Sequence, residues 1–193
     1  MDEEKLKSAL SFGGILLPDD IQRALEYYRI RKLKPGEFFL EAGQVAREIG
    51  FMSEGILRVY ATDSEGIEVT KYFIRENQFA VNLESYYADM PSENAMQAVI
   101  PTTLLVIQRQ DLERLNEEVP RFYIFSKTIS EAQLLNKLRD NDFLNFGTAK
   151  QKYVEFVRRY PDLTRHVPQH QIASYLKITP QSLSRIRKEI AER

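Results

Sequence analysis

Apolar residues recur along this chain of 193 residues in two rhythms. Near the start, Ile21, Leu25 and Tyr28 follow Pro18-Asp-Asp at helical spacing, and the proline with its acidic pair marks a helix start. After Ile30 the rhythm shortens. Phe38–Leu40, 49–52, 56–61 and 67–74 predict strands, separated by the turn sequences Lys34-Pro-Gly-Glu37, Glu41-Ala-Gly-Gln44, Ser53-Glu-Gly55 and Asp63-Ser-Glu-Gly66. Ile56, Arg58 and Tyr60 alternate with Leu57, Val59 and Ala61, a period of two. Residues 76–94 are less regular and predict a strand end, a short helix and a loop. Residues 98–107 predict one mostly apolar strand, with Pro101 placing it at an edge or a bulge. Short, evenly spaced strands with glycine turns predict an antiparallel sandwich or roll.

The helical rhythm returns at Asp111-Leu-Glu-Arg-Leu115, is interrupted or restarted at Pro120, and continues to about Leu138. Phe122, Phe125, Ile129, Leu134, Leu135 and Leu138 make a stripe with no obvious cover in the chain. It packs either on its own roll or on a mate in a second copy, and pairing is the favoured expectation. Asp140-Asn-Asp142 lacks the glycine and distal glutamate of a calcium loop and predicts a hinge that ends one helix and caps the next. A helix over 148–160 buries Tyr153, Phe156 and Val157 and stops before Pro161. Pro168 breaks the helix that would align His166 and His170 as metal ligands, so no metal site is expected.

The last apolar pattern is two short helices about a tight connection. Ile172, Ala173 and Leu176 share a face of the first, and Leu183, Ile186 and Ile190 form the buried stripe of the second. Thr179-Pro180 is a start signal, a hydroxyl to cap free amides followed by a ring fixed near helical φ. Ala173 is small where the helices cross. This is the pattern of a helix-turn-helix, whose second helix enters a DNA major groove. Its outward residues, Gln181, Ser182, Ser184, Arg185 and Lys188, include side chains suited to base edges, because Gln pairs bidentately with adenine and Arg with guanine.

Charge sharpens this reading. Residues 143–193 carry ten basic and four acidic groups, a net of +6, against a net of −7 from 17 basic and 24 acidic groups in residues 1–142. A basic terminal unit on an acidic body is the electrostatic footprint of a DNA-binding module on a sensor or scaffold. With no cysteine, thiolate metal sites, iron–sulfur clusters and cysteine nucleophiles are excluded. The amino terminus lacks the pattern of a signal peptide and no apolar run approaches a membrane span, so a cytoplasmic protein without a membrane partner is expected. No nucleophile–base spacing, phosphate-cradling glycine loop or metal cluster suggests an enzyme.

Arg31-Lys-Leu-Lys-Pro-Gly-Glu-Phe-Phe-Leu40, Gly43, Gly55-Ile-Leu-Arg-Val-Tyr60 and Asp63-Ser-Glu-Gly66 resemble the β-roll of cyclic-nucleotide-binding domains. With the long helix and terminal helix-turn-helix that follow, nearly the whole chain resembles a transcription regulator of the CRP/FNR family. The resemblance implies an α+β fold: an N-terminal antiparallel β-roll (a double-stranded β-helix or jelly roll) with flanking helices in residues 1–118, a long dimerisation helix and hinge in 119–142, and a winged helix-turn-helix in 143–193. It implies a homodimer on a near-palindromic double-stranded DNA operator, and RNA polymerase as a further partner if the output is activation.

Family members that bind cyclic AMP use a Gly-Glu pair and an Arg-Ser pair to hold ribose and phosphate. Here Val81 and Asn82 stand at the first pair, with Glu84 two residues on, and Asn94 and Ala95 stand at the second. Cyclic AMP is therefore disfavoured, since a buried phosphate needs a cation or several donors. Asn82, Glu84, Asn94 and Ala95 remain candidate pocket residues for an unknown effector, and Tyr86, Tyr87, Met90 and Met96 either line a more apolar pocket or pack the core. Neither the haem nor the iron–sulfur of other branches has ligands here, so no cofactor is expected. The family's base-reading positions fall on Pro180, which cannot read a base, Gln181 and Arg185. Gln169 and Ser182 are candidate phosphate contacts. The alternative function is a ligand-binding or protein-interaction module whose terminal helices only pack.

Overall fold

The computed structural model describes residues 2–191. Within them, β1 (Arg29–Leu33), β8 (Thr102–Gln108), β3 (Glu48–Glu54) and β6 (Phe79–Ala80) form one sheet in that order, and β2 (Phe38–Leu40), β7 (Asn94–Ala98), β4 (Leu57–Thr62) and β5 (Glu68–Ile74) form the other. Every pairing is antiparallel. Apart from the β4–β5 hairpin, consecutive strands lie in opposite sheets, which winds the chain into a roll. Phe51, Leu57, Val59, Met96 and Leu104 fill the space between the sheets. The hairpin closes because the Asp63 carboxylate accepts from the backbone N–H of Glu65 and Ile67, both at 2.9 Å.

Two strand expectations change. Residues 98–107 are not one strand: Ala98 ends β7, Pro101 lies in the crossing between sheets, and β8 sits in the interior of its sheet between β1 and β3. Proline lacks the N–H that a continuous central ladder would need, so it marks the crossover. β1 has no apolar alternation, since only Leu33 is buried. Its pairing with β8, from Arg29 opposite Val106 to Leu33 opposite Thr102, makes it a strand.

Helices α1 (Asp2–Leu10) and α2 (Pro18–Leu25) bury Leu6, Leu10, Ile21 and Ala24 on the roll, and the short α3 (Leu83–Ala88) follows β6. After β8 come α4 (Arg109–Glu118) and the 26-residue α5 (Pro120–Asn145). The apolar stripe of α5 divides. Phe122 and Phe125, each 2% exposed, and Ile129 pack on the roll, whereas Leu134, Leu135 and Leu138 are 53–58% exposed, and Tyr123 and Ile124 are exposed too, at 65% and 54%. The hinge expected at 140–142 lies inside α5. The chain turns instead at Gly147, whose φ of +104° suits glycine, and Thr148 caps the next helix through its Oγ and Gln151.

From there α6 (Ala149–Arg159), α7 (Pro161–His166), α8 (Gln169–Tyr175) and α9 (Pro180–Ala191) surround a second core of Tyr153, Phe156, Leu163, Ile172, Ala173, Leu176, Leu183 and Ile186. Ile190 was expected in this core but is 38% exposed. Among the described residues this unit is wholly helical, so the wing implied by the family resemblance is not part of it; its apolar positions recur three and four apart and offer no strand rhythm. The second core also takes in Ile56 of the roll, with Tyr72 and Phe73 of β5 packed against it. Thr70 N donates to Ser174 Oγ at 2.9 Å, Phe73 meets Tyr175 edge to face at 5.6 Å, and Arg75 pairs with Asp162 at 3.2 Å. The helical unit is thus docked on β5. No helix among the described residues is long and apolar enough to cross a membrane.

Gly55 joins β3 to β4 at φ +104°, and a Cβ there would stand 2.4 Å from Thr102 Oγ and 2.6 Å from Thr102 Cα. Gly55→Ala should destabilise the chain by about 3 kcal/mol through backbone strain and overpacking, read as a lowered denaturation midpoint. On α6, hydrogen bonds from Arg158 and Arg159 lower the Glu155 carboxyl from its ordinary 4.5 to about 2. A depressed acid stabilises the fold above its unfolded pKa and loses that contribution as pH falls through the folded one. The stability difference between the native chain and Glu155→Gln should therefore be constant above the range near 4.5 and shrink toward zero as pH approaches about 2, measured by denaturant titration across that window.

Candidate nucleic-acid interface

The connection between α8 and α9 is built from local chemistry. Lys177 takes the left-handed conformation at φ 56°, and Ile178 N donates back to Ala173 O at 3.0 Å, closing the end of α8. Thr179 Oγ then accepts from Ser182 N at 3.1 Å, the expected cap at the start of α9. Ala173 is fully buried at the crossing, and Leu183 and Ile186 face inward. A larger side chain at 173 would push the helices apart.

Fixing α9 this way turns Gln181, Ser184, Arg185 and Lys188 to the surface as one continuous polar face, with Gln169 exposed at the start of α8. Ser182 is half-buried, and its Oγ accepts from Thr179 Oγ at 2.9 Å, so it serves the cap as well as the face. Pro180 occupies the first turn of α9 without a donor. At the flank of this face, Lys150 pairs with Glu189 at 3.0 Å, and in the connection before α9 Lys177 donates to Asn145 at 2.9 Å. Docking on β5 engages α8 through Ser174 and Tyr175 and leaves the exposed face of α9 uncovered.

The expected effector residues divide. Asn82 Oδ1 accepts from Ser85 N at 3.0 Å to cap α3, and its Nδ2 donates to Ser92 Oγ at 2.7 Å. Ser92 Oγ in turn donates to Asn94 O and accepts from Asn94 N. Asn82 and Asn94 are thus brought together, and their loop satisfies itself. Ala95 is buried in β7 opposite Tyr60, whereas Glu84 points to solvent in the first turn of α3. Tyr86 and Met96 are core residues; Tyr87 and Met90 are 72% and 62% exposed.

Sequence reading missed two cations. Arg31 and Arg47 line a cavity of about 350 Å³ beside Asn82. They lie far from the pocket motif in the chain, and only the pairing of β1 with β8 carries Arg31 there. Arg31 is held by Glu48 at 2.6 Å, whereas Arg47 makes only a long, exposed pair with Asp89 at 3.7 Å. His166 and His170 are exposed, and no metal-holding cluster occurs among the described residues.

Residues 30–118 match the family model of the cyclic nucleotide-binding domain. No curated protein matches the chain by sequence. Among solved structures, it is similar to FixK2 from Bradyrhizobium japonicum, at 16% identity over 86% of this chain and 85% of that one, with a TM-score of 0.71. The c-di-GMP responsive global regulator CLP of Xanthomonas campestris is similar at 16% identity, 90% and 91% coverage and a TM-score of 0.69. The Thermus thermophilus catabolite activator protein is similar at 20% identity, 95% and 87% coverage and a TM-score of 0.58. Roll, connecting helix and helical unit therefore recur together in one order: the chain shares the fold of these solved structures, and its residues 30–118 are similar to the cyclic nucleotide-binding domain.

Proposed function

We propose that this chain is a homodimeric transcription regulator that reads a near-palindromic DNA operator with α9. The observation that carries this reading is the exposed face of Gln181, Ser184, Arg185 and Lys188 on a helix held by a capped turn, within a unit of net charge +6. Arg185 offers a guanidinium fork to guanine and Gln181 an amide to adenine, while Lys188, Gln169 and Ser182 hold phosphates and set register. The exposed half of the α5 stripe supports pairing, since among the described residues Leu134, Leu135 and Leu138 stay more than half exposed. Two copies joined along α5 would present their α9 helices to half-sites about 34 Å apart, one turn of DNA.

The regulator works in the cytoplasm without a metal, haem or iron–sulfur cofactor, and RNA polymerase is its partner where it activates. Cyclic AMP is not its effector. This rests on the self-satisfied Asn82–Ser92–Asn94 loop and on its lack of a cation, since Asn94 and Ala95 stand where an Arg-Ser pair would hold the phosphate.

Selection of bound duplexes from a random pool by the full chain should recover a two-fold symmetric site, with binding that falls steeply as salt rises. An interaction module whose terminal helices only pack would enrich no sequence and show no salt slope. Arg185→Ala should relax preference at one base pair per half-site and cost about 1–3 kcal/mol, whereas Lys188→Ala should weaken all duplexes alike. Replacing Leu134 and Leu138 together by Glu should give a folded monomer in sedimentation with much reduced operator affinity; a dimer that persists would remove the α5 interface from the proposal.

A further inference from the structure

A cavity of about 460 Å³ opens where the roll, the end of α5 and the helical unit meet. Arg75 and Gln78 reach it from the turn after β5, Asn136 from α5, Arg159 and Tyr160 from the α6–α7 junction, and Tyr175 from α8. Its size falls within the range of small-molecule sites. It is separate from the cavity beside Asn82, with which it shares no lining residue.

The lining is rich in donors. Arg75 uses Nη1 on Asp162 at 3.2 and 3.3 Å, and Arg159 uses Nε on Glu155 and Nη1 on Asp140. Among the described residues, the Nη2 group of each meets no protein acceptor. Gln78 Oε1 accepts from Arg75 N at 2.9 Å, which leaves its Nε2 without an acceptor, and the Asn136 amide makes no hydrogen bond to the described protein. The carboxylate at the cavity, Asp140, is taken up by Arg159 at 3.1 Å and by the Tyr160 hydroxyl at 2.5 Å. The walls are aromatic: Arg75 lies 4.7 Å from the Tyr160 ring centre, and Tyr175 is nearly buried. Both cations are paired, but their free Nη2 groups, the Gln78 and Asn136 amides and the flat apolar walls suit a ring that carries an anionic group.

We propose that this junction cavity binds a small aromatic anion, a single ring system bearing a carboxylate or a phosphate. A ligand there would touch the roll, α5 and the helical unit together, so its affinity depends on how they are placed. If α9 reads DNA as proposed above, linkage then makes the ligand and the operator change each other's affinity.

The test is calorimetric titration of the full chain, without DNA, with phenyl phosphate and with benzoate. At least one should bind saturably at one site per chain. Asn136→Leu, which breaks no hydrogen bond, ion pair or core contact among the described residues, and Gln78→Glu, which keeps the oxygen that accepts from Arg75 N and loses the amide donor, should each weaken that binding about tenfold with an unchanged denaturation midpoint, and Arg75→Gln should weaken it further. No saturable heat from either probe, or native affinity in both the Gln78 and Asn136 variants, would overturn the proposal. Because DNA is absent, neither result bears on the operator reading, and a failure of operator binding would leave the titration intact.

Discussion

One continuous helix ties this molecule together. At 1.5 Å per residue the 26 residues of α5 span about 39 Å, and its two ends belong to different cores. Phe122 and Phe125 are buried with the roll, and Leu144 is buried with the helices that follow. An unbroken run of backbone hydrogen bonds resists bending, so whatever moves one end of α5 is felt at the other. The chain turns freely only at Gly147, past the end of the helix, where a positive φ permits it.

Against that rod the helical unit has a second attachment, to β5. Ser174, Tyr175 and Asp162 contact Thr70, Phe73 and Arg75. Beneath this contact Arg58, only 3% exposed, donates to Thr70 Oγ at 2.9 Å and pairs with Glu68. A buried guanidinium is tolerated because its donors are matched, and uncovering or unpairing it would alter a network that reaches the docked helix. Burial also raises the Tyr160 and Tyr175 phenols well above their ordinary value and keeps them neutral, so Tyr160 serves as a donor to Asp140. The roll and the helical unit are therefore joined by polar, exchangeable contacts as well as by packing.

The roll is similar in fold to a cyclic nucleotide-binding domain, while the polar atoms around Asn82 face one another. Asn82 caps a helix, Ser92 bridges to Asn94, and Arg31 holds Glu48. Unused donors gather instead at the junction, where Gln78, Asn136 and two arginines converge. A binding pocket is a surplus of unsatisfied groups in a concave space, and here the Gln78 and Asn136 amides place such a surplus where the roll meets α5 and the helical unit.

The sequence alone determined whatever depends on neighbours a few residues apart. The turn at Asp63–Gly66, the cap at Thr179, the inward face of Leu183 and Ile186 and the outward face of Gln181 and Arg185 all follow from local spacing, and the helix-turn-helix was legible for that reason. The charge split between the two halves was legible too, because charge needs no geometry. Tertiary structure alone decided whatever depends on partners far along the chain. Arg29–Leu33 is a strand only because β8 lies beside it, and Pro101 marks a crossing because the two sheets face each other. Half of the α5 stripe is covered because the roll happens to reach that far. The clustering of Arg31 with Asn82, and of Arg75 with Arg159, joins residues 51 and 84 positions apart. Periodicity reports which side of an element is apolar, but it carries no record of what will come to lie against that side.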